Sequence, residues 1–164
     1  MINWPYWVLF IVFWYITVFL HDIGHSLMSR ILFNDKNPIS IGKGKPLFTT
    51  KRFIINSSFW YFGDGPVHVF KCVGMRYQRI LHASGGFFMN IILAGLLYLL
   101  ALFISHNYLT YYFSPWWWPV IPMAIFTNAL GVFFSIVPFP YKSETGMPND
   151  GRYIMQLIFK TDKY

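Results

Sequence analysis

Two histidines four residues apart stand near the end of a long apolar run, in the order His21-Asp22-Ile23-Gly24-His25. On an α-helix, residues at i and i+4 share a face. Two neutral imidazoles on one face can bind one divalent ion. In an H-E-x-x-H helix, the acid after the first His is the general base acting on water at the metal. Here that residue is Asp22. A catalytic zinc ordinarily has three protein ligands and one open position, so a third ligand is required. Two His and a carboxylate suit Zn²⁺, one per chain, and Fe(II) or Co(II) would accept the same ligands.

The acidic residues are few: Asp22, Asp35, Asp64, Glu144, Asp150 and Asp162. Asp150 lies between Pro148-Asn149 and Gly151, and a glycine there allows close backbone approach. Asp-Gly is also an ordinary turn, and spacing alone does not decide between the two. His68, His82 and His106 have no ligand-spaced partner and read as surface or interface residues. Cys72 is the single cysteine, which excludes an internal disulfide and a cysteine-based metal site.

The elements that must position these groups are apolar. Hydrophobic residues make up 55% of the 164 and charged residues 12%, about half the charge of an ordinary soluble domain. Three blocks qualify as membrane spans, at about 4–33, 84–105 and 116–137. The first has no basic n-region ahead of it and no small-residue cleavage site before position 21, so it reads as a retained helix. Trp116, Trp117 and Trp118 would form an interfacial belt at the start of the third. Pro119 and Pro122 suit its first turn, and Pro138 and Pro140 would end it. Between spans one and two, residues 38–82 carry short β-rich runs, Phe53-Ile54-Ile55 and Val67 to Val73, broken by Gly and Pro. That pattern predicts one or two β-hairpins lying at the membrane face.

Charge sets the expected orientation. Of the 13 Lys and Arg, Arg30 closes the first span, eight lie from Lys36 to Arg79 and four from Lys142 to Lys163. The connection from His106 to Pro115 has none. Two spans separate the basic regions, which places both on one side, the cytoplasmic one. The expectation is an α-helical, multi-pass protein of a cell membrane, bacterial in type. Its N-terminus is outside, and residues 139–164 form a cytoplasmic C-terminal segment. One membrane-embedded domain covers 1–164. The formal net charge of +7 is explained by this topology, and the apolar spans exclude a soluble nucleic-acid binder.

Three segments in order resemble the site-2 protease family of intramembrane zinc metalloproteases. His21-Asp22-Ile23-Gly24-His25 resembles its H-E-x-G-H helix. Ser84-Gly85-Gly86-Phe87-Phe88-Met89-Asn90 resembles its G-P-x-x-N segment, and Pro138 through Asp150-Gly151 its N-x-x-P…D-G segment. The resemblance covers nearly the whole chain. It implies a zinc metalloendopeptidase cleaving a membrane-spanning or membrane-associated protein or peptide. His21, His25 and Asp150 would be the ligands, Asp22 the catalytic base, and Asn90 a group bonding the substrate backbone or oxyanion. A helix-packing amide is the other reading of Asn90, and Gly85 and Gly86 read as close-packing residues. The chain departs from the pattern in three places: Asp22 for Glu, Gly86 for Pro and Ser135 for Asn. The shorter Asp22 arm keeps open an alternative, a metal-binding but inactive regulatory or accessory membrane protein. Three spans make a thin wall around a metal site, so a homo-oligomer or a membrane partner is compatible with the sequence.

Overall fold

The computed structural model describes residues 4–34, 36, 38–41, 43–58, 75–106, 120–138 and 149–159. The protein is mostly helical. Helix α1 (Trp4–Phe33) is followed by strands β1 (Ile39–Ile41), β2 (Lys43–Thr49) and β3 (Phe53–Ser58). Helices α2 (Arg76–His106), α3 (Val120–Ile136) and α4 (Asp150–Phe159) complete it.

Helix α1 occupies the expected range, and Asn34 ends it in the left-handed region at φ 52°, a conformation asparagine tolerates. Helix α2 begins eight residues before the expected start of the second span. The segment from Arg76 to Ala83 carries Arg76, Gln78 and Arg79, so it falls outside the apolar block while remaining helical. Residues 76–82 therefore belong to α2 and not to the β-rich insert. Helix α3 has 17 residues, with Pro122 in its first turn and Pro138 just beyond its end. Trp116–Trp118, Pro119, Pro140 and the Val67–Val73 run lie outside the described residues. The C-terminal segment carries a ten-residue helix, α4, which the apolar pattern did not predict.

The sheet has the order β1-β3-β2. Among the described residues β2 and β3 form a hairpin, and β1 pairs with β3 in parallel. The hairpin turn is held by Thr50, whose Oγ1 accepts the backbone N–H groups of Arg52 and Phe53. Strand β2 runs through Gly44 and Pro46, where the sequence suggested breaks. The register shifts on either side of Pro46, and Gly44 sits at φ 92°, a conformation that favours glycine.

Burial is inverted relative to a water-soluble domain. The buried polar side chains include Thr17, His25, Ser26, His82, Ser84, Asn90, Thr127 and Asn128. Among the described residues the buried hydrophobic ones are Ile39, Ile41, Ala83, Ala124 and Leu157, whereas Trp7, Ile11, Leu96, Leu99 and Phe103 face outward. Polar groups inside and apolar groups outside suit a hydrocarbon surround, where interhelical hydrogen bonds and close packing hold helices together. Helices α1 and α2 each contain a 29-residue stretch long and apolar enough to cross a membrane. At 1.5 Å per residue each stretch reaches about 43 Å, beyond a hydrocarbon core of about 30 Å.

Small residues set the helix spacing. Gly24 of α1 and Gly85 of α2 lie backbone to backbone, and a Cβ on either would overlap the other's carbonyl. Thr17 of α1 donates to Thr127 of α3 at 3.2 Å, both fully buried. Aromatic contacts, Phe10 with Phe126 and Trp14 with Phe134, extend the α1–α3 seam. Gly24→Ala is expected to destabilise the bundle by about 1–3 kcal/mol through overpacking. A lowered unfolding midpoint in detergent would report it. Gly95→Ala, whose added methyl meets open space, is the control expected to leave the midpoint in place.

Candidate metal centre

His21 and His25 lie one turn apart on α1, as their spacing requires. The T-shaped contact of their rings, centroids 4.8 Å apart, brings Nε2 of each to within 3.1 Å of the other. Asp150, the first residue of α4, completes the cluster. Its Oδ2 is 3.1 Å from His21 Nε2 and 3.3 Å from His25 Nε2. The structure thus joins residues 129 positions apart, and these three side chains form a group that can hold a metal ion.

Each ligand is placed by an identifiable contact. For His25, the backbone carbonyl of His82 on α2 accepts a hydrogen bond from Nδ1–H at 3.0 Å. A carbonyl only accepts, so Nδ1 carries the proton and, in the neutral ring, Nε2 presents a lone pair to the cluster. The His82 ring lies nearly parallel to the His25 ring, centroids 5.7 Å apart. His82, read from sequence as a surface or interface residue, is therefore buried behind the site. For His21, the ring rests on Gly86, where any Cβ would overlap it.

For Asp150, the neighbouring Asn149 acts as a rivet. Its Oδ1 accepts the N–H of Arg152, capping α4, while its Nδ2 donates to the carbonyls of Phe134 and Val137 at the end of α3. Gly151 packs on the Ile136 carbonyl so closely that a side chain has no room, which is the close approach expected of it. At the far end of α4, the Arg76 guanidinium donates to the carbonyl of Ile158. That contact ties the helix to α2 and complements its C-terminal dipole. Asn149 and Arg76 were missed in the sequence. An Asn directly before an acidic first turn was the available signal for the former; nothing local marks the latter.

The spacing fits a metal. Ligand atoms about 2.0–2.1 Å from a tetrahedral ion stand about 3.3–3.4 Å from one another. The three observed separations are 3.1, 3.1 and 3.3 Å. Burial works against the Asp150 carboxylate, yet the facing imidazoles of His25 and His21 hold its carboxyl well below the usual carboxylate range. The carboxylate is therefore ionised at neutral pH and available as a ligand.

Asp22 follows His21 on α1 and is not one of the three grouped side chains. No hydrogen bond or ion pair holds it among the described residues, though its charge interacts with those of His21, His25 and Asp150. Asn90 is fully buried, and its amide lies 3.2 Å from Nδ1 of His21. That is the ring edge opposite the cluster, so the amide stands behind the His21 ring. Ser135 donates to Gly131 within α3. Cys72, His68, Asp35, Asp64, Glu144 and Asp162 lie outside the described residues, as does the His106 side chain.

Comparison with protein-family models, curated proteins and solved structures gives no match to this chain. Function therefore rests on the site itself. Gly86→Ala is expected to push the His21 ring out of line and weaken zinc binding by about 10–100-fold, the range for disturbed ligand orientation. Competition with a chromophoric chelator would measure it.

Proposed function

We propose that the chain is an intramembrane zinc metalloendopeptidase of the site-2 protease type. The observation that carries this reading is the His21–His25–Asp150 cluster. It is spaced for a tetrahedral ion and adjoined in sequence by the carboxylate of Asp22, on helices whose described outer faces are largely apolar. Three ligands, the number found among the described residues, would leave a tetrahedral ion one position for water, as a catalytic site requires.

A divalent ion held there supplies Lewis acidity and makes a water molecule more acidic. Asp22 accepts the proton this water gives up as its oxygen attacks the peptide carbonyl carbon. When the C–N bond breaks, Asp22 returns that proton to the departing amine, leaving one carboxylate and one amine product. The arm of Asp22 is shorter than that of Glu by one carbon–carbon bond, about 1.5 Å.

In this reading α3 is a third span, giving a multi-pass protein with N-terminus outside and C-terminus cytoplasmic. The charge distribution supports that orientation. From Trp4 to His21 is about 25 Å along α1, which sets the site near the inner edge of the bilayer. The substrate is a membrane-spanning or membrane-associated protein or peptide. A helix pairs its own peptide groups, so the substrate must unwind before cleavage. Strand β2, at the edge of the sheet, offers backbone groups on which an unwound segment can pair as an added strand.

Asp22→Asn separates this reading from that of a metal-binding regulatory protein. In detergent or vesicles, the variant is expected to keep its zinc and to cleave a membrane-spanning test substrate at least about 100-fold more slowly. Equal cleavage by the variant would remove Asp22 from the mechanism. Zinc without cleavage in the unsubstituted protein would support the regulatory alternative.

A further inference from the structure

We infer that Asn90 is a positioning residue for the metal centre, its carboxamide oxygen fixing the tautomer and aim of His21. The inference rests on the metal reading above and assigns Asn90 a part different from substrate or oxyanion binding.

The argument begins with a requirement. For both imidazoles to present Nε2 lone pairs to one ion, both Nδ1 atoms must carry hydrogen, and a buried N–H needs an acceptor. His25 has one in the backbone carbonyl of His82. At His21 Nδ1 the neighbouring polar group is the Asn90 amide, at 3.2 Å. With Nδ2 facing the ring, the amide would donate to Nδ1 and force the hydrogen onto Nε2, where it would occupy the ligand position. In that orientation Asn90 Oδ1 is buried with no hydrogen-bond partner among the described residues.

The two ends of a carboxamide have nearly the same shape, and their assignment follows from the hydrogen-bond network. Exchanging them places Oδ1 on His21 Nδ1–H. The oxygen gains a donor, the amide nitrogen turns into the position the oxygen left, and Nε2 of His21 is freed to match Nε2 of His25. The two histidines then have equivalent support from α2, a backbone carbonyl for one and a side-chain carbonyl for the other.

Asn90 has little freedom to do otherwise. A methyl on Gly131 of α3 would stand 2.5 Å from its Nδ2 and 2.9 Å from the Thr17 methyl. Gly131 therefore leaves the space the amide occupies, and α3 holds Asn90 against His21. Thr17, one helical turn before His21, lines the same space and is tied to α3 through Thr127. Through this stack α3 contributes to the centre without supplying a ligand.

The test is the zinc affinity of purified full-length protein in detergent, by chelator competition, for Asn90→Leu and Asn90→Asp. Leu keeps the volume and removes the acceptor, whereas Asp keeps an acceptor oxygen. Asn90→Leu is expected to bind zinc about 10–100-fold more weakly, with Asn90→Asp restoring most of the loss. Nitrogen-15 spectra of the histidine rings give a second readout that needs no variant. In the zinc-loaded unsubstituted protein, His21 is expected to be protonated at Nδ1, with that proton protected from exchange. Zinc bound equally well by the unsubstituted protein and Asn90→Leu would overturn this inference alone. So would a loss in Asn90→Asp as large as in Asn90→Leu, or a His21 Nδ1–H that exchanges freely. No zinc bound by the unsubstituted protein would overturn the metal reading and this inference together.

Discussion

Electron-pair donors repel when brought close, and here two imidazole nitrogens and a carboxylate oxygen stand 3.1–3.3 Å from one another. With the His25 Nδ1 proton committed to the His82 carbonyl, the ring in its neutral form directs a lone pair at the other two groups. A cation among the three converts that repulsion into attraction. A single proton can bridge one pair of these atoms, whereas a tetrahedral ion engages all three. Much of the surrounding structure serves to hold this arrangement in a low-dielectric bundle, where an unpaired charge would cost several kcal/mol.

The holding is done by close packing more than by long-range charge. Gly24 and Gly85 let α1 and α2 touch, which brings the His82 carbonyl to His25. Gly86 gives the His21 ring a flat seat, and Gly151 lets the start of α4 press on the end of α3. Asn149 then fixes where α4 begins, so that Asp150 emerges beside the two imidazoles. Each contact needs the absence of a side chain or the presence of one short amide. That explains why Gly and Asn cluster so near the ligands.

Much of this was legible in the sequence because it is local. The His21–His25 spacing needs only the helical repeat, and α1 from Trp4 to Phe33 follows from a run that is almost entirely apolar up to Leu20 and meets no proline between Pro5 and Phe33. Asp150 was one acidic candidate among several, and what set it apart was the resemblance of its Pro138–Gly151 context, not its spacing. The structure brings it to the pair. What was not legible depends on tertiary contact. The start of α2 carries Arg76 and Arg79, which look like loop charges until Arg76 is seen on the end of α4. The parallel pairing of β1 with β3 leaves no mark in three residues of sequence. Asn90 could be placed on α2, but which edge of His21 it meets is decided by the packing of α3 at Gly131. His82 looked like a surface residue because nothing in its neighbourhood reveals that its own carbonyl supports His25.

Metal content of the purified, detergent-solubilised protein, prepared without chelator beside His21→Ala and Asp150→Ala, tests the central claim most directly. The expected result is about one zinc per chain in the unsubstituted protein and a large loss in both variants, since each removes one of three ligands. A folded, unsubstituted protein without bound metal, or zinc retained in full by Asp150→Ala, would contradict the claim that these three side chains form a metal centre.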